Sequence, residues 1–76
     1  MKNGREQRIR EALLITVRQN PQGVFASDLY MLMKHDEDFK GDPPTKDDVG
    51  LNLRALERRR LVRSRLREGH LVYQPR

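Results

Sequence analysis

Residues 61–74 fold back on themselves about Glu68 and Gly69, and this constrains the chain more than any other segment. Gly69 supplies the positive φ that a two-residue hairpin connection needs. With the turn placed there, Arg67 faces His70, Leu66 faces Leu71, Arg65 faces Val72, Ser64 faces Tyr73 and Arg63 faces Gln74. Successive side chains of a strand alternate between faces. Val62, Ser64, Leu66, Leu71 and Tyr73 therefore fall on one side, and Arg63, Arg65, Arg67 and His70 on the other. Such a ribbon needs a cover on its apolar side only, and the remaining residues must supply it.

Helical periodicity supplies that cover. In residues 5–19, Ile9, Ala12, Leu13, Thr16 and Val17 recur at the three- and four-residue spacing of one helix face, and Leu14 and Ile15 widen it. Asn20, Pro21, Gln22 and Gly23 end this helix, Asn20 as an αL cap. Val24, Phe25 and Ala26 form a minimal strand, and Ser27 caps a second helix over residues 27–35, with Leu29, Tyr30, Leu32 and Met33 buried. Residues 35–44 read as an acidic loop ending in Pro43 and Pro44. Thr45 and Asp48 form an approximate capping box that opens a third helix over residues 45–60. Val49, Leu53 and Leu56 point inward on it, while Asp47, Gly50, Leu51, Arg54, Ala55 and Arg58 point outward. The strands follow over residues 61–67 and 70–74. The expected class is α+β, in a single domain over residues 1–76.

A chain of 76 residues without cysteine has neither disulfides nor thiolate-bound metal to stabilise it. No apolar run approaches the roughly 20 residues of a membrane span, and residues 1–10 hold no signal-like apolar segment. A cytoplasmic protein without membrane contact is expected. The net charge of +5 is distributed unevenly: +3 over residues 1–20, −4 over residues 21–52 and +6 over residues 53–76. A field with that direction orients an approaching polyanion.

The order of helix, short strand, helix, loop, helix and hairpin resembles a winged helix-turn-helix domain, over almost the whole chain. The most typical stretch is residues 49–62, where Val49, Leu53 and Leu56 lead through Arg58, Arg59 and Arg60 into Leu61 and Val62. The resemblance is one of pattern and implies a small stand-alone regulator of bacterial or phage type. In such domains the third helix enters the major groove and the wing touches the backbone or the minor groove. Carried onto this chain, Arg54 and Arg58 are candidates for bidentate contact with guanine, and Leu51 and Ala55 for contact with a thymine methyl. Gly50 permits close approach, Lys46 is a phosphate candidate, and Arg63, Arg65, Arg67 and His70 are candidates on the wing. Double-stranded DNA is the implied partner, with a homodimer through the first helix.

Asp47 and Asp48 stabilise the helix dipole, yet would repel phosphate if they faced the groove. The loop from Asp36 to Asp47 imitates a calcium loop, but Lys40 stands at a ligand position and Pro43 and Pro44 distort its second half. His35 and His70 lack metal-ligand spacing, neither Ser27 nor Ser64 lies in a nucleophile motif, and no glycine-rich phosphate loop is present. No enzyme, cofactor, metal or small-molecule substrate is expected. Two rival readings use the same basic face: a protein-interaction winged helix docking an acidic partner, and an RNA- or ribosome-associated module.

Overall fold

The computed structural model describes residues 2–76, with side chains from residue 4 onward. Among these residues the chain forms helices α1 (Lys2–Arg18), α2 (Ala26–Lys34) and α3 (Lys46–Arg58) and a 3-10 turn at Glu37–Phe39. The strands are β1 (Val24–Phe25), β2 (Val62–Arg67) and β3 (His70–Pro75). They make one antiparallel sheet of order β1-β3-β2, so the last strand lies in the middle. The result is a small α+β fold of three helices and a three-stranded antiparallel sheet.

The helices bury the residues that their periodicity selects. Ile9, Leu13 and Val17 of α1 meet Leu29 and Met33 of α2 and Val49, Leu53 and Leu56 of α3. Val62 and Tyr73 close this core from the sheet. The hairpin pairs in the expected register, from Arg67 opposite His70 to Arg63 opposite Gln74. Its turn has positive φ at both Glu68 (53°) and Gly69 (82°), the type I′ geometry whose twist matches the flanking strands. The minimal strand also forms, with Val24 opposite Tyr73 and Phe25 opposite Val72.

Several local expectations are corrected. The residue capping α2 is Phe25, with no side-chain hydrogen bond, and Ser27 lies exposed inside the helix. Leu32 is 55% exposed rather than buried, because Leu29 and Met33 already fill the face of this short helix that meets the core. Asn20 does not adopt αL; its amide donates to the Thr16 carbonyl, and the positive φ (115°) falls at Gly23. A Cβ there would stand 2.6 Å from Val72 Cγ1, so Gly23 is required for space as well as for conformation. The acidic loop contains the 3-10 turn, which drives Phe39 into the core. Helix α3 stops at Arg58, two residues before its expected end.

The expected apolar cover of the hairpin also ends early. Val62 and Tyr73 are buried and Ser64 is half-buried, but Leu71 is 44% and Leu66 70% exposed. The ribbon therefore extends past the helices, and its tip is open to solvent on both faces. Among the described residues no helix is long and apolar enough to cross a membrane, and no cluster of His, Cys, Asp or Glu suited to a metal ion occurs.

Candidate nucleic-acid interface

Helix α3 and the hairpin carry every candidate contact singled out from the sequence, and local chemistry fixes how both are held. At the start of α3 the capping box is complete. The Asp48 N–H donates to Thr45 Oγ1 (3.1 Å), and the Thr45 N–H donates to Asp48 Oδ2 (2.9 Å). Arg5 of α1 also donates to this carboxylate, at 3.4 Å. The Thr45 backbone N–H holds the Asp48 carboxyl below the usual range; burial opposes this, and the Thr45 hydroxyl and Arg5 add to it. Asp48 is thus engaged toward α1, and only Asp47 of the two acids stands exposed among the candidate contacts of α3.

A second polar cluster locks α1 to α3. Asn52 is the buried polar residue of the described chain, and its amide donates to Glu6 Oε2 (2.7 Å) and to the Asp48 carbonyl (2.8 Å). Arg10 donates to its side-chain oxygen at 3.1 Å. Buried amides need such partners, because an unsatisfied one retains its full desolvation penalty. With α1 gripping this side of the helix, the opposite side is left bare. Lys46, Asp47, Gly50, Leu51 and Arg54 line a shallow depression there. Arg58 is exposed one turn beyond Arg54, and apart from the chain neighbours and the helix's own backbone no described atom lies within 4 Å of where a Gly50 Cβ would be.

The junction with the hairpin is equally specified. Arg60 adopts αL (φ 60°), its N–H donates to the Glu57 carbonyl, and the Leu61 N–H donates to the Leu56 carbonyl, both at 3.0 Å. These two bonds constitute a Schellman motif, normally closed by glycine. Farther on, Ser64 Oγ donates to Glu57 Oε2 (2.9 Å), tying β2 to the last turn of α3. Burial raises the pKa of the adjacent Tyr73 phenol; the Glu57 carboxylate adds to this and Arg54 opposes it.

Arg63, Arg65, Arg67 and His70 lie together on the outer face of the ribbon, as alternation implies, and all are exposed. Phe25 of β1 shares that face, with its ring edge-to-face with His70 at 6.1 Å. This neighbour was legible only once the pairing of β1 with β3 was known. The candidates thus form two groups rather than one surface. Lys46, Gly50, Leu51, Arg54 and Arg58 occupy the free side of α3, and the hairpin arginines point away from it across the thickness of the ribbon.

The charge environment separates the two ends of the molecule. Among the described residues every ion pair involves Arg5, with Glu6, Asp42 or Asp48. The eight basic residues of 53–76 are all exposed, and none of them is in an ion pair or donates a side-chain hydrogen bond among the described residues. Comparison of the chain with protein-family models, with curated proteins and with solved structures gives no match.

Proposed function

We propose that the chain is a winged-helix DNA-binding protein without enzymatic activity, a regulator of transcription or replication. In this reading α3 is the recognition helix, the β2–β3 hairpin is the wing and double-stranded DNA is the partner. The observation that carries it is the set of exposed, unpaired cations over residues 53–76. Three arginines on one strand face repel each other unless something anionic sits against them. Phosphates spaced along a duplex meet that requirement, and releasing their counterions supplies the free energy.

Within the major groove, Arg54 and Arg58 present bidentate donors to guanine O6 and N7, and Leu51 and Ala55 offer apolar surface to a thymine methyl. Gly50 lets the helix backbone approach closely. Lys46, Arg63, Arg65, Arg67 and His70 hold phosphates and set the orientation. The free tip of the ribbon lets the wing reach along the backbone although its arginines face away from α3. A single module this small covers little DNA, so a homodimer on repeated half-sites, meeting through α1 where Ile15 is exposed, completes the reading.

The test is fluorescence anisotropy of a labelled random duplex across a salt series. With four to six cations engaged, log affinity falls against log salt with a slope of about −4 to −5. A flat dependence, or amide shifts absent from residues 46–58 and 63–70 in a parallel NMR titration, overturns the proposal.

A further inference from the structure

Between α2, α3 and β3 lies a groove of about 620 Å³, within the size range of small-molecule sites. Its surface is mainly apolar: Met31 from α2, Val49 and Leu53 from α3, and Leu71 from β3. Met31 and Leu71 are 46% and 44% exposed, so this apolar surface is open to solvent. The charged groups on the lining are all cations, namely Lys34, Lys46 and Arg54.

Two of the three cations stand at the same aromatic ring. Lys34 Nζ lies 6.0 Å and Lys46 Nζ 5.6 Å from the centroid of the same Tyr30 ring. Two ammonium groups thus stand over the same aromatic ring, and among the described residues no carboxylate pairs with either. An anion seated beside this ring is attracted by both. From this ring the groove continues along α3 to Arg54, eight residues and therefore about 12 Å from Lys46. A phosphodiester backbone fits this arrangement poorly, since it would leave the apolar surface unused.

We infer that this groove binds a small amphipathic monocarboxylate, its acid at Lys34 and Lys46 and its apolar body over Met31, Leu53 and Leu71. Charge complementarity selects the head, and the apolar surface and length select a tail of about eight to ten carbons. Lys46, Gly50 and Arg54 line both the groove and the exposed side of α3. The bound acid therefore takes the Lys46 charge from phosphate and opposes DNA binding. This last consequence rests on the proposed duplex-binding function; the ligand site does not.

The experiment is an NMR titration of the DNA-free protein with decanoate, decanol and decyltrimethylammonium in parallel. Decanoate shifts the amides of Tyr30, Met31, Lys46 and Leu71 saturably, decanol binds about tenfold more weakly, and the cation shifts none of them. Equal binding of decanol and decanoate, shifts spread over the whole molecule, or no shift with decanoate overturns the inference. Lys34→Glu and Met31→Glu, both at exposed positions of α2, weaken decanoate about tenfold while leaving the fold intact. Unchanged decanoate affinity in both counts against the site. In the duplex arm, decanoate weakens DNA binding by the native protein but not by Lys34→Glu; undiminished binding in the native protein overturns the coupling. If decanoate binds and no duplex does, the groove stands and the duplex reading falls.

Discussion

Three of the four arginines of α1, Arg5, Arg8 and Arg10, reach onto the rest of the protein, and those of the hairpin face solvent. Arg5 lies 3.0 Å from the Asp42 carboxylate and reaches Asp48, Arg8 donates to the Asp38 carbonyl and covers the Phe39 ring, and Arg10 donates to Asn52. Arg63, Arg65 and Arg67 make no such contact among the described residues. Part of the +3 of residues 1–20 is therefore matched within the fold to the −4 of residues 21–52, through Arg5 with Asp42 and Asp48. The +6 of residues 53–76 has no such partner among the described residues. Net charge alone would treat the two groups of cations as equivalent, and partner distances separate them.

The largest test of that contrast is to remove one group at a time. Replacing Arg63, Arg65 and Arg67 together by Ala lowers duplex affinity about 100-fold at low salt and flattens the salt slope by roughly 2 to 3. Arg8→Ala leaves the slope unchanged. Anisotropy titrations at several salt concentrations measure both, and equal losses in the two variants would break the comparison.

Stability reverses the ranking. Asn52→Ala leaves Arg10 and Glu6 without their shared partner in a part-buried cluster, at a cost of about 2–3 kcal/mol in urea unfolding. Arg58→Ala, on the exposed side of α3, changes stability by no more than about 0.5 kcal/mol. A comparable loss in both would mean that the hydrogen-bonded cluster contributes no more than a solvated surface charge.

Acid acts on the partnered end first. The folded-state pKa of Asp48 is lowered, so its contribution is full above the unfolded-state value and is lost as pH falls through the folded one. The melting temperature accordingly declines below about pH 4. Asp48→Asn loses about 1 kcal/mol at neutral pH and shows a shallower decline in acid. An acid limb identical to that of the native chain would show that the carboxylate is not held as its contacts imply.

The parts legible in the sequence are those that local chemistry over-determines. The hairpin register follows from period-two alternation and one glycine turn, and the Thr45–Asp48 box needs only a three-residue spacing. Alternation identifies the side of the ribbon on which Leu66 lies, but not that the helices stop short of it. Phe39 enters the core from a segment without periodicity, held by a 3-10 turn. The partners of Arg5 and Asn52 lie 43 and 46 residues away in the chain, beyond any local pattern. The candidates on α3 were read from helical phase and are exposed or half-buried as expected; their division from the hairpin arginines depends on the orientation of the sheet.

The smallest effect concerns Gly50, where stability and binding should move in opposite directions. A glycine inside a helix costs roughly 0.5–1 kcal/mol relative to alanine, through the extra freedom it loses on folding. Beyond its chain neighbours and the helix's own backbone, no described atom lies within 4 Å of the position its Cβ would take, so Gly50→Ala meets no obstacle and raises stability by about that amount. On a surface that touched nothing, the substitution would otherwise be silent. If α3 lies in the major groove, the added methyl stands between the helix backbone and the bases and lowers duplex affinity a few-fold, without changing the salt slope because no charge is altered. A more stable variant with undiminished affinity would place the contact surface on the hairpin alone, and the contrast between the two ends of the molecule would then rest on the unpartnered arginines without help from the helix.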